Sequence, residues 1–404
     1  MTISLRGVAP LLLTAVLAPA AVGGQTLTGE AAVETRWFPE SPLFASQRDV
    51  SISPSFFFEP ELGLDWMDGN LRFDARAFLR VDGHDDRRTH GDLRELSLTL
   101  LTDRWTIMAG FGRVFWGVTE VNHLVDIVNQ TDAVEDIDNE DKLGQPMVSV
   151  TRVGDLGALD VYWLPYFRER TFPDSRGRLR GPLPVTERAA YESDAEEWQQ
   201  GFAARWSHVL GSVDFALSTF RGASREPLLL PAGGATEGTP PSAVRPFYAT
   251  IDQTAVEVQW TRDATLWKLE AMTRGGHGDR FAALSAGVEY TLYQLFGGAS
   301  DLGLLSEVMI DGRGRSAPPT LFDNDVFVGA RWARNDVADT QVLGGVVVDY
   351  EHGDAFGLVE AERRLMEQWT VGLEARILAN VEPGSFVDAL RRDSFATLRI
   401  SRFW

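Results

Sequence analysis

Residues 110–146, GFGRVFWGVTEVNHLVDIVNQTDAVEDIDNEDKLGQP, hold a dense set of groups able to meet a charged solute. Arg113, Trp116, Glu120, His123, Asp126, Asn129 and Asp132 come first, and Glu135, Asp136, Asp138, Glu140 and Asp141 follow as an acidic run. Side chains of this kind, lining a water-filled passage, filter solutes by size and charge. A facing wall of cations is expected from Arg72, Arg76, Arg80, Arg331 and Arg376, on the polar faces of alternating segments. Acidic and basic walls opposed across a lumen would set a transverse field that orients polar or zwitterionic solutes. The plainer alternative is an acidic run bathed in external water. It carries more weight for 135–141 than for Arg113, Glu120 and Asp126, which stand nearer the preceding strand.

Other chemistries fit less well. Asp136 to Asp141 offers the oxygen ligands calcium favours, but it lacks the central Gly and distant Glu of an EF-hand loop, so no metal is assigned. His84 and His90 stand with Asp82, Asp85, Asp86 and Asp92, and solvated loop charges account for that cluster as well as a hydrolytic site does. The sequence holds 6 histidines but neither a Gly-x-Ser-x-Gly elbow nor a His-Glu-x-x-His pair. No enzymatic activity and no cofactor are expected. A cysteine count of 0 excludes a disulfide scaffold, and 38 basic against 58 acidic residues argue against a nucleic-acid partner.

The elements that must position these groups follow a period of two. In Asn70–Asp82, Leu71, Phe73, Ala75, Ala77, Leu79 and Val81 share one face, and Arg72, Asp74, Arg76, Arg80 and Asp82 the other. Leu159, Val161, Trp163 and Phe167 oppose Asp160, Tyr162 and Arg168; Trp267, Leu269 and Ala271 oppose Lys268 and Glu270; Val371, Leu373, Ala375 and Ile377 oppose Glu374 and Arg376. Short turns such as 68–70, 102–104, 154–157 and 262–263 alternate with long Pro- and Gly-rich segments near 170–196 and 222–250. That asymmetry predicts an all-β, antiparallel transmembrane barrel of about eighteen strands, with about sixteen as the other count, its short turns facing the periplasm. Trp163, Trp206, Trp260, Trp332 and Trp369 are expected in aromatic girdles at the lipid interfaces. The segment after the fifth strand is expected to fold into the lumen. It carries a short helix pattern in Val121, Leu124, Val125 and Val128.

Residues 1–24 have the pattern of a secretory signal peptide, with Arg6 before the apolar core Val8–Val16 and small residues after it, which leaves 25–404 as one barrel domain. The last strand, Ser394–Trp404, puts Ala396, Leu398, Ile400 and Trp404 on one face and ends on an aromatic residue. This resembles the C-terminal signature by which Gram-negative outer-membrane barrels engage their assembly machinery. Arg402 departs from it, a long side chain able to snorkel its charge to water.

Leu93-Arg94-Glu95, Arg113, Trp116-Gly117, Leu124-Val125-Asp126, Asn129 and Asp132 together resemble a proteobacterial outer-membrane barrel family that often accompanies RND-type exporters. That family is distantly similar to alginate-export and substrate-specific porins. The resemblance covers about residues 92–150. It supports the fold more than any substrate; the long loop after the fifth strand points to passive diffusion of small hydrophilic solutes across the outer membrane through a lumen constricted by 117–145. The alternative it leaves open is a conduit or docking component of an export or surface-assembly system, with a periplasmic partner. A barrel hydrolase ranks below both.

Overall fold

In the computed structural model, residues 24–233 and 240–404 are described. The expected signal peptide lies outside the described residues, apart from Gly24 at its end. The barrel strands are β1 (Gln25–Trp37), β2 (Ile52–Trp66), β3 (Leu71–Asp82), β4 (His90–Leu101), β5 (Trp105–Gly112), β6 (Gln145–Gly154) and β7 (Gly157–Leu164). After a short strand β8 (Ala190–Tyr191) come β9 (Gly201–Leu210) and β10 (Val213–Ala223), then β11 (Leu228–Ala232) and β12 (Ala243–Tyr248). The barrel resumes with β13 (Thr250–Arg262), β14 (Thr265–Gly275), β15 (Phe281–Leu292), β16 (Asp301–Asp311) and β17 (Asn324–Ala333). It ends with β18 (Gln341–Asp349), β19 (Ala355–Met366), β20 (Trp369–Ala379) and β21 (Phe395–Phe403). Strands β8, β11 and β12 form a separate three-stranded sheet within the long segments; the other strands make one eighteen-stranded sheet. Pairing of β1 with β21, from Glu30 opposite Phe403 to Trp37 opposite Ala396, closes it without an edge.

Alternation sorts side chains as expected. Leu79 and Val81 are 48% and 62% exposed on the outer wall, whereas Arg80 between them is buried inside. Strand ends carry the aromatics: Trp66, Trp105, Trp267 and Trp369 near the short turns, Trp37 and Trp163 at the other ends. Trp206 lies near the short-turn end too, its Nε1 donating to the Leu156 carbonyl at 2.8 Å. Arg402 does not hang free: its guanidinium sits 5.8 Å over the Trp369 ring on the neighbouring strand, and Trp404 stacks on Phe58 at 5.3 Å. One expected position fails. Phe167 lies beyond β7 and is buried against Tyr248 and Ala223 rather than facing outward.

A bulge in β4 bends this rule usefully. Arg76 pairs with Glu95 while Ala77 pairs with Leu93, so Arg94 is the extra residue. Two consecutive charged side chains thereby face the interior, and the strand is re-aimed where the long segment returns. Gly144, just before β6, packs directly on this bulge: a Cβ there would lie 2.1 Å from the Leu93 carbonyl oxygen. Gly144→Ala is expected to destabilise the barrel by about 1–3 kcal/mol through overpacking. The fraction of protein showing heat-modifiable migration in gels checks this; a native fraction would mean the contact relaxes freely.

Candidate constriction and its anchors

Residues 113–144 leave β5, cross the barrel interior and return to β6. No helix forms in this segment, contrary to the spacing of Val121, Leu124, Val125 and Val128. The reason lies in where the backbone donors go. Glu270, an inward residue of β14 that is fully buried, accepts from the N–H groups of Val118 at 2.6 Å, Thr119 at 2.9 Å and Val125 at 3.2 Å, and from Thr119 Oγ1 at 2.7 Å. Glu307, on β16, accepts from the N–H groups of Glu120 at 2.6 Å and Val121 at 3.1 Å. Charged acceptors on distant strands thus take donors a helix would have used internally. Gly117 makes the approach, with φ +143° in a region side chains rarely adopt and the Glu270 carboxylate 3.1 Å from where a Cβ would stand.

The apolar side chains divide accordingly. Trp116, Leu124, Val125, Ile127 and Val128 join a buried cluster with Met147, Tyr162, Phe220, Ile251 and Met272. Val121 and Ile137 pack instead against a second cluster on β16–β20 that includes Phe327, Leu305, Phe356 and Leu378.

The rest of the segment is tied by ion pairs. Glu135 is met by Arg80 at 2.7 Å and His90 at 2.8 Å, and the Arg36 guanidinium donates to its carbonyl. Arg80 and Arg88 also reach Glu34 on β1, at 3.1 and 2.6 Å, and Arg399 on β21 reaches the same carboxylate at 3.1 Å. Asp132 pairs with Arg94 at 2.8 Å. Arg376 on β20 gathers Asp138 at 2.7 Å, Glu360 at 2.8 Å, Glu374 at 2.9 Å and Asp136 at 3.7 Å. Burial works to raise Glu135, but His90, Arg80 and Arg88 outweigh it and hold the carboxyl at about 2.

The expected site residues therefore take different places. Glu120 bridges Lys268 at 3.4 Å and Arg331 at 2.5 Å. Asp126 binds Lys142 at 3.1 Å, His123 lies 3.9 Å from Glu140, and Arg113 lies 3.7 Å from Glu95. Trp116, Asn129 and Asp132 are buried in protein. Asn129 clasps the base of the segment by donating to the Gly112 and Leu143 carbonyls at 2.9 and 2.8 Å. Of the facing arginines, Arg80, Arg331 and Arg376 reach the segment. Arg72 and Arg76 pair with Asp74 at 2.8 Å and Glu61 at 2.6 Å, lower on the wall. The acidic run does not point outward as a whole: Glu135 and Asp136 are buried against the wall arginines. Glu270, Glu307 and Lys268 hold the segment directly, and Glu34 holds Arg80 and Arg88, which meet Glu135; the signal of all four is a charge at an inward position of an alternating strand.

Glu140 and Asp141 stay in water, the Glu140 side chain 56% exposed although protein surrounds it. Enclosure, then Asp138 and Glu360, pushes Glu140 up to about 8; enclosure, then Glu135 and Asp138, pushes Asp141 up to about 7. Two triads, His90–Asp132–Glu135 and Asp136–Asp138–Glu374, have ligand atoms close enough for a cation. Arginines already meet both sets, Arg80 and Arg94 the first and Arg376 the second. His84 Nδ1 lies 3.2 Å from Ser53 Oγ, which lies 3.5 Å from Asp82. There the hydroxyl stands between imidazole and carboxylate, whereas a relay needs the imidazole between the other two.

A closed eighteen-stranded barrel, apolar outside, charged inside and crossed by an inward segment, has the architecture of outer-membrane β-barrels of the porin type. Solved structures agree. Pseudomonas aeruginosa OccD3 (OpdP) is similar with a TM-score of 0.53 at 12% identity, over 95% of this chain and 91% of that one. Wzi of Escherichia coli, an outer-membrane protein involved in group 1 capsule assembly and described as a carbohydrate-binding β-barrel, gives 0.51 at 8% identity, over 92% and 83%. Pseudomonas aeruginosa OpdQ gives 0.50 at 10% identity, over 94% and 96%. At these identities the likeness shows the fold. No protein-family model and no curated protein sequence matches the chain.

Proposed function

We propose that this barrel is an outer-membrane channel for passive diffusion of small hydrophilic solutes, narrowed by the segment 113–144. The observation that carries the reading is water access beside the pinned segment: Glu140 and Asp141 are exposed within the barrel wall. Below them, Arg113, Glu95, Glu61 and Arg76 are partly open around the lumen, with side chains 28–34% exposed. The charges alternate in sign around this path, so the filter acts on polar solutes by orientation as well as size. Expected partners are the lipid of the outer membrane, the barrel-assembly machinery acting on the strand that ends at Trp404, and the solutes themselves. The leader expected over residues 1–24 would direct export.

Planar-bilayer recording with a salt gradient tests this. Steady, small conductance supports it, and a protein that is folded but electrically silent rejects it. Acid sharpens the test. Glu140 and Asp141 lose charge as pH falls from about 9 to about 6, so preference for cations should decline over that window. A reversal potential that does not move would remove these carboxylates from the path.

A second reading is a non-conducting component of an export or surface-assembly system. The two buried apolar clusters against which the inward segment packs favour it, as does the resemblance to an exporter-associated family. Pull-down of a periplasmic partner through the short-turn face, by a barrel that carries no current, would replace the channel reading.

A further inference from the structure

At the outer mouth, the loops after β16, β18 and β20 enclose a cavity of about 330 Å³ that the constriction does not use. That size falls in the range of small-molecule sites. Its lining divides sharply: Asp323, Asp325, Asp349, Asp354 and Glu382 supply carboxylates, while Leu321, Phe322, Val347, Phe356, Leu378 and Val387 supply an apolar floor. Among the described residues no lysine or arginine lines it. The cavity's imidazole, His352, is bound to Asp349 at 2.9 Å.

Asp325 is the telling member. It is 5% exposed and lines the cavity, and one of its oxygens accepts the Asp323 N–H at 2.7 Å. Among the described residues no cation and no second donor meets it, although a buried carboxylate elsewhere in this barrel has an arginine or several N–H groups. A charge left so is expensive, and it is relieved either by a proton or by a cation that completes it.

We propose that this cavity binds an organic cation: an ammonium carried on an aromatic or branched aliphatic body. The carboxylates take the charged head and the floor takes the frame. A bare metal ion fits less well. Calcium needs six to eight oxygens converging at about 2.3–2.6 Å, and the carboxylates of this cavity are absent from the triads close enough to share an ion. The site lies at the mouth, so its occupancy does not depend on whether the lumen conducts.

Calorimetric titration of the full, detergent-solubilised barrel with tryptamine tests the proposal. Saturable one-to-one binding is expected, with no heat from the anionic counterpart indole-3-acetate and no displacement by calcium. Asp325→Asn keeps the Asp323 bond but removes the charge, and should weaken tryptamine at least about tenfold. Glu382→Gln, on the exposed rim where folding is not at stake, should weaken it several-fold. Absence of binding, equal binding of the acetate, unchanged affinity in both variants, or displacement by calcium at comparable concentration would each overturn the proposal.

Discussion

Single-channel conductance rises several-fold when Glu270 and Glu307 are both replaced by alanine: this is the expected result that most directly follows from the inward segment. Five backbone N–H groups and one hydroxyl, from Val118 to Val125, end on these two carboxylates. Each bond to a charged acceptor contributes about 1.5–3 kcal/mol, and each donor left buried without a partner costs about 1–3 kcal/mol. Alanine at both sites leaves the donors to seek water, and water is reached by moving the segment off the wall. The barrel itself should survive, since both carboxylates sit on strands whose backbone pairing is untouched. Glu270→Gln retains an uncharged oxygen as acceptor and should fall between native and alanine. Deleting 120–140 outright should give the upper limit. Conductance unchanged in the double variant would place the segment outside the conducting path.

The second large effect concerns stability. Arg376→Met removes the cation common to Asp136, Asp138, Glu360 and Glu374, leaving neighbouring carboxylates within the wall. Breaking a buried pair from one side costs about 3–5 kcal/mol. The sign with pH follows from the acids. Even with the arginine present, burial and then Asp136 push Asp138 up to about 6, and without it the carboxyl rises further. A carboxyl raised in the folded state binds protons that the unfolded chain has lost, so stability falls as pH rises between the two values. The deficit of Arg376→Met should therefore be largest near pH 8 and shrink toward pH 5, as orders of magnitude. Urea unfolding in detergent at both pH values measures it. A deficit that does not change with pH would mean the arginine acts by packing alone.

How much of this was legible in the sequence depends on what alternation encodes. Period two tells which face a residue takes, so the outward Leu79 and Val81 and the inward Arg80 followed directly. It does not tell depth along the strand. Arg72, Arg76 and Arg80 share a face, yet of the three only Arg80 reaches the inward segment. The segment itself was visible as a long polar interruption after the fifth strand. Its conformation was not, because Val121 and Val125 have helical spacing but their N–H groups answer to Glu307 and Glu270, 186 and 145 residues away. The acidic run misled for the same reason: the arginines that turn Glu135 and Asp136 inward come from β3, the following turn and β20. Arg94 shows a third limit, since a bulge puts two neighbours on one face and no local pattern announces it.

The seam between β1 and β21 has a kinetic consequence. Glu34 on one side of it is bound by Arg399 from the other, 365 residues along the chain, and also by Arg80 and Arg88, which grip Glu135 of the inward segment. The final hydrogen-bonded zipper and the inward segment are thus fastened by one knot of charge. Contacts so distant in sequence tend to form late, so the segment is expected to be in place when the last strand meets the first. A chain that sealed early would leave that segment outside, facing a ring already closed. Loss of the Glu34 carboxylate is therefore expected to loosen the seam and the inward segment together.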